Sequence, residues 1–464
     1  MDIIRILATI LLVAVMIYAM TKKMNGAMIL MGIGLLTLAI VTLITGKSVL
    51  PDESTGSRFF DIFQVTYTRF TSSLPTTTLQ VMSVMGYVAF LNHIKASQML
   101  TAIVVKPLQK LKNKYLVISL TMALGIILRI FIPSQVSLCA LFLATMYPVL
   151  LALGFSRLTA ASTCVVGTVI DWGPGCPNTG WVFNQPYIAE ITDISTFFVR
   201  YQVPVVIISS IVMIVLFTVF TKMNEEKVLT EEKEEFGETE IGEALTAESF
   251  DVPKFYGLLP LFPIVLVLVF SKLFISSVTL SVATAHIFCF VVAFIINIIF
   301  SKKPITESFN GSQEMWTGMG NAMASAGILV AAGTTFSAGL SAIGGTNVLM
   351  DALAASSLGG SVSTAVSTAL ATFIAFMTGS GAPGLYTAVP LLPDVAAAAG
   401  MDVLGMIVPI LVGGAIGRAI SMVAPAVLIA ASTSGVTNLK IVKRNLIPCL
   451  AAVVIATIAS VIMF

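Results

Sequence analysis

The stretch that decides the fold is IAFMTGSGAPGLYTAVPLLP, Ile374 to Pro393. Its flanks are apolar enough for a membrane helix. Its centre, Gly379-Ser380-Gly381-Ala382-Pro383-Gly384, is rich in glycine and proline, the poorest helix formers. Non-helical backbone at membrane depth survives only where protein or a water-filled cavity surrounds it. Glycine lets backbone approach a ligand closely, Pro383 suits the first turn of a new helix, and a helix N-terminus offers free N–H groups with partial positive charge. The expected chemistry is an anion site made from the backbone of Gly379 and Gly381, with the hydroxyls of Thr378 and Ser380 as further donors. The competing reading is tight helix packing through small residues.

The rest of the chain supports a bilayer as the solvent. Of 464 residues, 57% are hydrophobic and 10% charged, far below the charged fraction of about 25% typical of soluble domains. The net charge of +2 suggests no nucleic-acid partner. Five cysteines without metal-ligand spacing read as packing residues. Apolar runs predict crossings near 3–20, 27–46, 76–94, 158–181 and 198–221, then near 255–275, 280–300, 321–343, 402–431 and 442–463. The run at 3–20 reads as a retained first helix and not as a signal peptide, since no small-residue cleavage site follows it.

Two further apolar stretches, about 115–152 and 362–398, are too long for one helix. Each is interrupted near its middle, by IPSQVS (132–137) and by TGSGAPG (378–384), and each reads as a re-entrant hairpin. The fold class expected is therefore an all-α polytopic membrane protein with about ten transmembrane helices and two re-entrant hairpins. It divides into a first repeat (1–221, with a broken helix about 158–181), an acidic linker (222–254) and a second repeat (255–464, with a broken helix about 402–431). The linker, with 11 acids and 4 bases, reads as solvated and flexible. With both termini outside, Lys22, Lys23, Lys95, Lys106, Arg157, the linker, Lys440, Lys443 and Arg444 fall inside, as the positive-inside rule requires. Five crossings per half then make the repeats inverted, a recurrent plan of secondary transporters.

The first interruption offers Ser134, Gln135 and Ser137 where the second offers Thr378 to Gly381. Arg418, in GGAIGRAISMVAP, is an arginine within an apolar crossing. Such a charge needs a cavity or a partner, and its planar fork suits a carboxylate. Asp171 occupies roughly the corresponding place in the first half. It reads either as a coupling group for H⁺ or Na⁺, or as the partner of Arg129, the other intramembrane charge; pairing is favoured because both lie beside broken elements of one half. Asn178 and Thr179 could supply oxygen ligands to Na⁺ or simply end the crossing. His93 and His286 read as packing or hydrogen-bonding residues, and Trp172 and Trp181 as packing residues. No phosphate-binding loop and no nucleophile–base set is visible, which disfavours an ATP-driven pump and an enzyme.

Several segments together resemble the anaerobic C4-dicarboxylate carrier (DcuC) family: NHIKAS (92–97) with KPLQ (106–109), LFLATMYPVLLALGFSR (141–157), LVAAGTTFSAGLSAIG (329–344), TGSGAPGLYTAVPLLP (378–393) and GRAISMVAP (417–425). The resemblance spans nearly the whole chain in order. It implies secondary transport of succinate, fumarate or malate across a bacterial inner membrane by alternating access, by symport or antiport. It also implies a scaffold domain, a mobile transport domain and a homodimer. Substrate carboxylates would then be held by Arg418 and the donors of the two interruptions. No cofactor is expected beyond H⁺ or Na⁺ as coupling ion. The alternatives are a Na⁺/H⁺ antiporter, a carrier of another organic anion, and an anion channel.

Overall fold

A computed structural model describes residues 2–21, 24–50, 53–107, 111, 113–185, 188, 192–236, 250–270, 274–275, 277–278, 280–301, 303–344, 359–422 and 424–464. Lys22, Lys23 and residues 237–249 of the expected linker lie outside this set. Among the described residues the chain is helical, with no strand.

The first half contains α1 (Asp2–Thr21), α2 (Gly26–Thr45), α3 (Arg58–Ser73), α4 (Leu79–His93), α5 (Ala96–Val105), α6 (Lys114–Leu128), α7 (Gln135–Thr145), α8 (Tyr147–Ala152), α9 (Arg157–Gly167), α10 (Pro177–Phe183) and α11 (Val203–Phe236). The second half contains α12 (Phe262–Val269), α13 (Val282–Phe300), α14 (Gln313–Ala322), α15 (Ile328–Ile343), α16 (Gly359–Thr378), α17 (Ala382–Ala388), α18 (Leu392–Ala399), α19 (Val403–Gly417), α20 (Pro425–Ser434) and α21 (Asn438–Met463).

Local chemistry sets many of these ends. Asn25 caps α2 by accepting from Met28 N at 3.1 Å, and Gly46 ends it in a left-handed conformation. Ser134, Ser156 and Asp402 cap α7, α9 and α19. The motif NHIKAS is a bend: α4 and α5 meet at 74°, and Lys95 between them adopts φ +63°. That conformation costs an L-residue roughly 1–2 kcal/mol, so surrounding contacts must hold it.

Seven described helices are long and apolar enough to cross a membrane, or eight if the bent pair counts as one. Ten crossings were expected, and five of the seven coincide with them; the other two, Gln135–Ala152 and Gly359–Thr378, lie in the stretches expected as re-entrant hairpins. The remaining five expected crossings fall on shorter or divided helices. Helix α4 has 15 residues and α15 has 16, and each is joined end to end with another helix through a π-turn, Leu74–Thr78 after α3 and Met323–Gly327 after α14. Helix α9 has 11 residues and stops at a break. Arg58, Asp61 and Arg69 interrupt the apolar pattern of α3, so hydropathy begins only at 76 and misses the 16-residue helix that precedes it.

Both long apolar stretches break where expected. The first is non-helical over 132–134 and the second over 379–381, where Gly379 adopts φ +71°. Lipid tails are as apolar as leucine, so helices here gain by close packing and not by leaving water. Glycines provide that closeness. A Cβ on Gly125 would lie 2.4 Å from Gly167 O, joining α6 to α9; one on Gly417 would lie 2.5 Å from Thr372 O, joining α16 to α19. All of α19 is buried, and it forms the centre of the largest apolar cluster. All five cysteines are free and buried, and the His286 ring is buried and bonded to Val282 O.

The acidic segment departs from the expected flexible linker over its first half. Helix α11 continues to Phe236 without a break. Glu225 and Glu232 are buried. They accept from Ser156 N at 2.6 Å, Arg157 N at 2.7 Å and Leu158 N at 2.8 Å, so the acids close the N-terminus of α9. Free N–H groups and the helix dipole both favour carboxylates at that position.

Candidate binding site

The two breaks in the long apolar stretches face one cavity of about 440 Å³. Pro133, Ser134, Gln135 and Ser137 line it from the first break, and Ser380, Gly381 and Ala382 from the second. A further break in each half reaches the same space: Asp171 and Asn178 from the α9–α10 connection, and Arg418 from the end of α19. Helices α4 and α14 form the facing wall, held together where a Cβ on Gly86 would meet Met315 O at 2.7 Å.

The charged residues form a triad. Asp171 Oδ2 lies 2.6 Å from Arg418 Nη2, and Asp171 Oδ1 bonds Arg129. Asn178 Nδ2 donates to Asp171 Oδ2 at 3.1 Å. Arg129 also donates to Ile132 O at 2.9 Å, and Arg418 to Val169 O at 3.0 Å, so each guanidinium pins the backbone of a break. Two cations share one anion, and the triad carries a net charge of +1. An unpaired charge would be expensive to bury here, whereas this arrangement compensates one arginine and leaves a single excess positive charge beside the cavity. Side-chain exposure is 1% for Arg129, 5% for Asp171 and 16% for Arg418, so Arg418 is the cation that reaches the open space.

The remaining sequence-selected residues divide clearly. Ser134 Oγ accepts from Ser137 Oγ at 2.9 Å while capping α7. Gln135 is buried, and its Nε2 has no partner among the described residues. Thr378 stands apart from the cavity: its hydroxyl accepts from Ser380 N at 3.2 Å and lies 2.8 Å from Ile374 O, so it shapes the break. Gly379 supplies the left-handed turn, and Gly381 packs against Gly414, where a Cβ would lie 2.6 Å from the carbonyl oxygen. Thr179 is buried and accepts from Gln202 Nε2 at 3.0 Å, and Gln202 Oε1 in turn accepts from Gly173 N at 3.1 Å. Thus Asn178 faces the cavity and Thr179 braces the break behind it. Among the described residues no three His, Cys, Asp or Glu side chains gather as a metal cage.

Two polar lining residues were missed from sequence, Asn92 on α4 and Asn321 on α14. The available signal was an asparagine within or at the end of an apolar helix.

A helical bundle that surrounds a polar, charged cavity with broken backbone is the architecture of a polytopic membrane protein, and intramembrane charges of this kind mark a solute or ion pathway. Residues 4–464 match the profile of the family described as C4-dicarboxylate anaerobic carrier, DcuC, and the chain belongs to that family. It is 27% identical over 455 residues to the probable anaerobic C4-dicarboxylate transporter DcuC of Vibrio cholerae, covering 96% of this chain and 95% of that one. It is also 27% identical over 440 residues to the anaerobic C4-dicarboxylate transporter DcuC of Escherichia coli K12, covering 93% and 91%. Two solved structures share the fold. The YdaH transporter of Alcanivorax borkumensis aligns with a TM-score of 0.60 at 16% identity, covering 94% of this chain and 97% of that one. MtrF of Neisseria gonorrhoeae aligns with a TM-score of 0.59 at 14% identity, covering 95% and 96%.

Proposed function

We propose that the protein is a secondary carrier of C4-dicarboxylates such as succinate, fumarate and malate in a bacterial inner membrane. The observation that carries this reading is the single cavity in which both backbone breaks, seven hydroxyl or amide side chains and the Arg418–Asp171 pair, backed by Arg129, meet. Its volume lies within the usual range for small-molecule sites, about 300–1,000 Å³. The family names of the relatives supply the substrate class.

In this reading Arg418 and Ser380 hold one carboxylate, and Ser137 and Gln135 receive the other. The chain consists of two inverted repeats, 1–221 and 255–464, each with one re-entrant hairpin (115–152 and 362–398) and one broken helix. The repeats are joined by a connection on the inner side, and the termini lie outside. The hairpins and broken helices move against a scaffold containing α2, α4, α14 and α15, giving alternating access, and the working unit is a homodimer. Asp171 serves chiefly as the shared counter-ion of two arginines, since three donors already occupy its oxygens. An H⁺ or Na⁺ gradient then couples elsewhere or not at all.

Counterflow in proteoliposomes tests the reading. Vesicles loaded with unlabelled succinate should transiently accumulate labelled succinate, and Arg418→Ala should abolish this in protein confirmed to be membrane-inserted. Conductive succinate flux without counterflow would indicate a channel. Sodium-driven proton flux without organic substrate would indicate an antiporter.

A further inference from the structure

A second cavity, of about 700 Å³, lies at the opposite end of the same helices. Along the run from α3 to α4, the central cavity touches Val81 to Asn92, and the second touches Val65 and Arg69. Along the run from α14 to α15, the central cavity touches Gly318 to Ala322, and the second touches Thr334 to Ala342. The two π-turns lie between these sets.

Two other segments make the same traverse. Pro177 and Asn178 of α10 line the central cavity, and Gln185 just beyond α10 lines the second. Ala382 lines the central cavity, and Pro390 further along that arm lines the second. Midway, the rings of Trp181 and Tyr386 lie 4.4 Å apart between centroids, and both are buried. Tyr386 seals against α15, where a Cβ on Gly333 would meet its Cβ at 2.9 Å. The two cavities are therefore successive spaces separated by an aromatic barrier.

The charges in the second cavity are one-sided. Lys47 and Arg69 line it, both are exposed, and among the described residues neither makes an ion pair. No described acid lines it. The nearby Asp61 is buried and engaged by Ser48 Oγ at 2.6 Å, Ser54 Oγ at 2.7 Å and Thr55 N at 2.6 Å; Glu53 accepts from Thr68 Oγ1 at 2.9 Å. A cleft with low-dielectric walls and charge of one sign focuses its field and concentrates counter-ions.

We propose that this cavity is a second anion-binding site, a vestibule in which Lys47 and Arg69 hold a small dianion on the far side of the Trp181–Tyr386 barrier. The site stands on its own charge and shape; the expectation that the dianion is a dicarboxylate rests on the function proposed above.

The native cysteines are buried, so Ser341→Cys, at an exposed position in the cavity wall, provides a single reporter. Its labelling by a neutral maleimide is timed in detergent at constant ionic strength with chloride, sulfate or succinate. Sulfate and succinate should each slow labelling several-fold relative to chloride. The double change Lys47→Gln/Arg69→Gln should abolish the slowing, while Lys47→Arg/Arg69→Lys should retain it, which excludes misfolding as the cause. The slowing should also survive Arg418→Ala, which disables the central site. Unchanged labelling with both dianions, slowing that persists in the double glutamine variant, or slowing lost with Arg418→Ala would overturn the proposal. Protection by sulfate without succinate would support the site and count against the dicarboxylate reading of the whole protein.

Discussion

Arg418 Nη2 lies 2.6 Å from Asp171 Oδ2, and the other oxygen of the same carboxylate is bonded by Arg129. One acid therefore holds together two arginines from opposite halves of the chain, and through their bonds to Val169 O and Ile132 O it holds the breaks themselves.

Removing that acid should expose two uncompensated cations. Asp171→Asn is expected to cost about 3–5 kcal/mol, the usual consequence of breaking one side of a buried ion pair. The measurement is the thermal unfolding midpoint in detergent. Arg129→Gln added to Asp171→Asn should recover much of the loss, because one buried cation then disappears. If Asp171 instead carries the coupling proton or sodium ion, the double variant will be stable and will still exchange substrate, but its transport will no longer respond to an ion gradient.

The acids that close α9 predict a pH dependence. Burial raises the Glu232 carboxyl above its ordinary range; the backbone bonds from Leu158 and Arg157 oppose this, Glu225 adds to it and the Arg157 charge opposes it. The native protein therefore holds this proton to higher pH than the unfolded chain does. Stability is gained as pH falls through the raised native value and is lost as pH rises through it. Glu232→Gln should flatten that part of the profile. Glu232→Ala should lower stability at all pH values by about 1 kcal/mol or more, since it leaves the partly buried N–H groups of Arg157 and Leu158 without an acceptor. Thermal midpoints of the three proteins between pH 4.5 and 8, a span chosen on the order of ordinary and raised carboxyl values, decide the matter. Parallel profiles would rule out Glu232 as the source.

The glycine contacts are tested by adding a single methyl group. Gly381→Ala would place a Cβ 2.6 Å from Gly414 O, and Gly125→Ala would place one 2.4 Å from Gly167 O. The atoms met are backbone, which cannot rotate away, so each change should cost about 1–3 kcal/mol as overpacking and should reduce transport. Gly32 has nothing within 4 Å of an added Cβ, and Gly32→Ala should be neutral or slightly stabilising. Equal behaviour of the three variants in a stability and uptake assay would refute close packing as the role of these glycines.

What the sequence showed of the site was what local chemistry determines. Glycine and proline at Gly379 to Gly384 had to break a helix, and an arginine at position 418 had to find a partner or a cavity. The convergence of Arg129, Asp171 and Arg418 was half visible, since the first two lie in one half and invite pairing. The third contact joins residues 247 positions apart by the arithmetic of 418 − 171, and no local rule reaches that far. The helical course of the acidic segment was hidden for a different reason. A run rich in glutamate resembles a solvated linker, and only the seven-residue spacing of Glu225 and Glu232, about two helical turns, hints that one face is buried. Nothing local in the sequence links Lys47 to Arg69, because their shared cavity exists only after α2, α3 and α15 have packed.

Gln135 provides the sharpest test of the central site. It begins α7, lines the cavity and is buried, yet its Nε2 donates to nothing among the described residues. A buried donor without a partner costs roughly 1–3 kcal/mol, and a substrate oxygen in the cavity would relieve that cost. Truncating Gln135 should therefore leave stability almost unchanged while weakening substrate binding. A lost hydrogen bond to a charged group is worth about 1.5–3 kcal/mol, or roughly 10- to 100-fold in affinity at 1.4 kcal/mol per tenfold. Gln135→Ala should raise KM by that factor, and Gln135→Glu should raise it further, because a near-isosteric acid would oppose the substrate carboxylate. Concentration dependence of succinate uptake, measured beside the thermal midpoint, separates the outcomes. A large stability loss with unchanged KM would make Gln135 a packing residue and would move the second carboxylate to Ser137 or to Asn92 and Asn321 on the opposite wall.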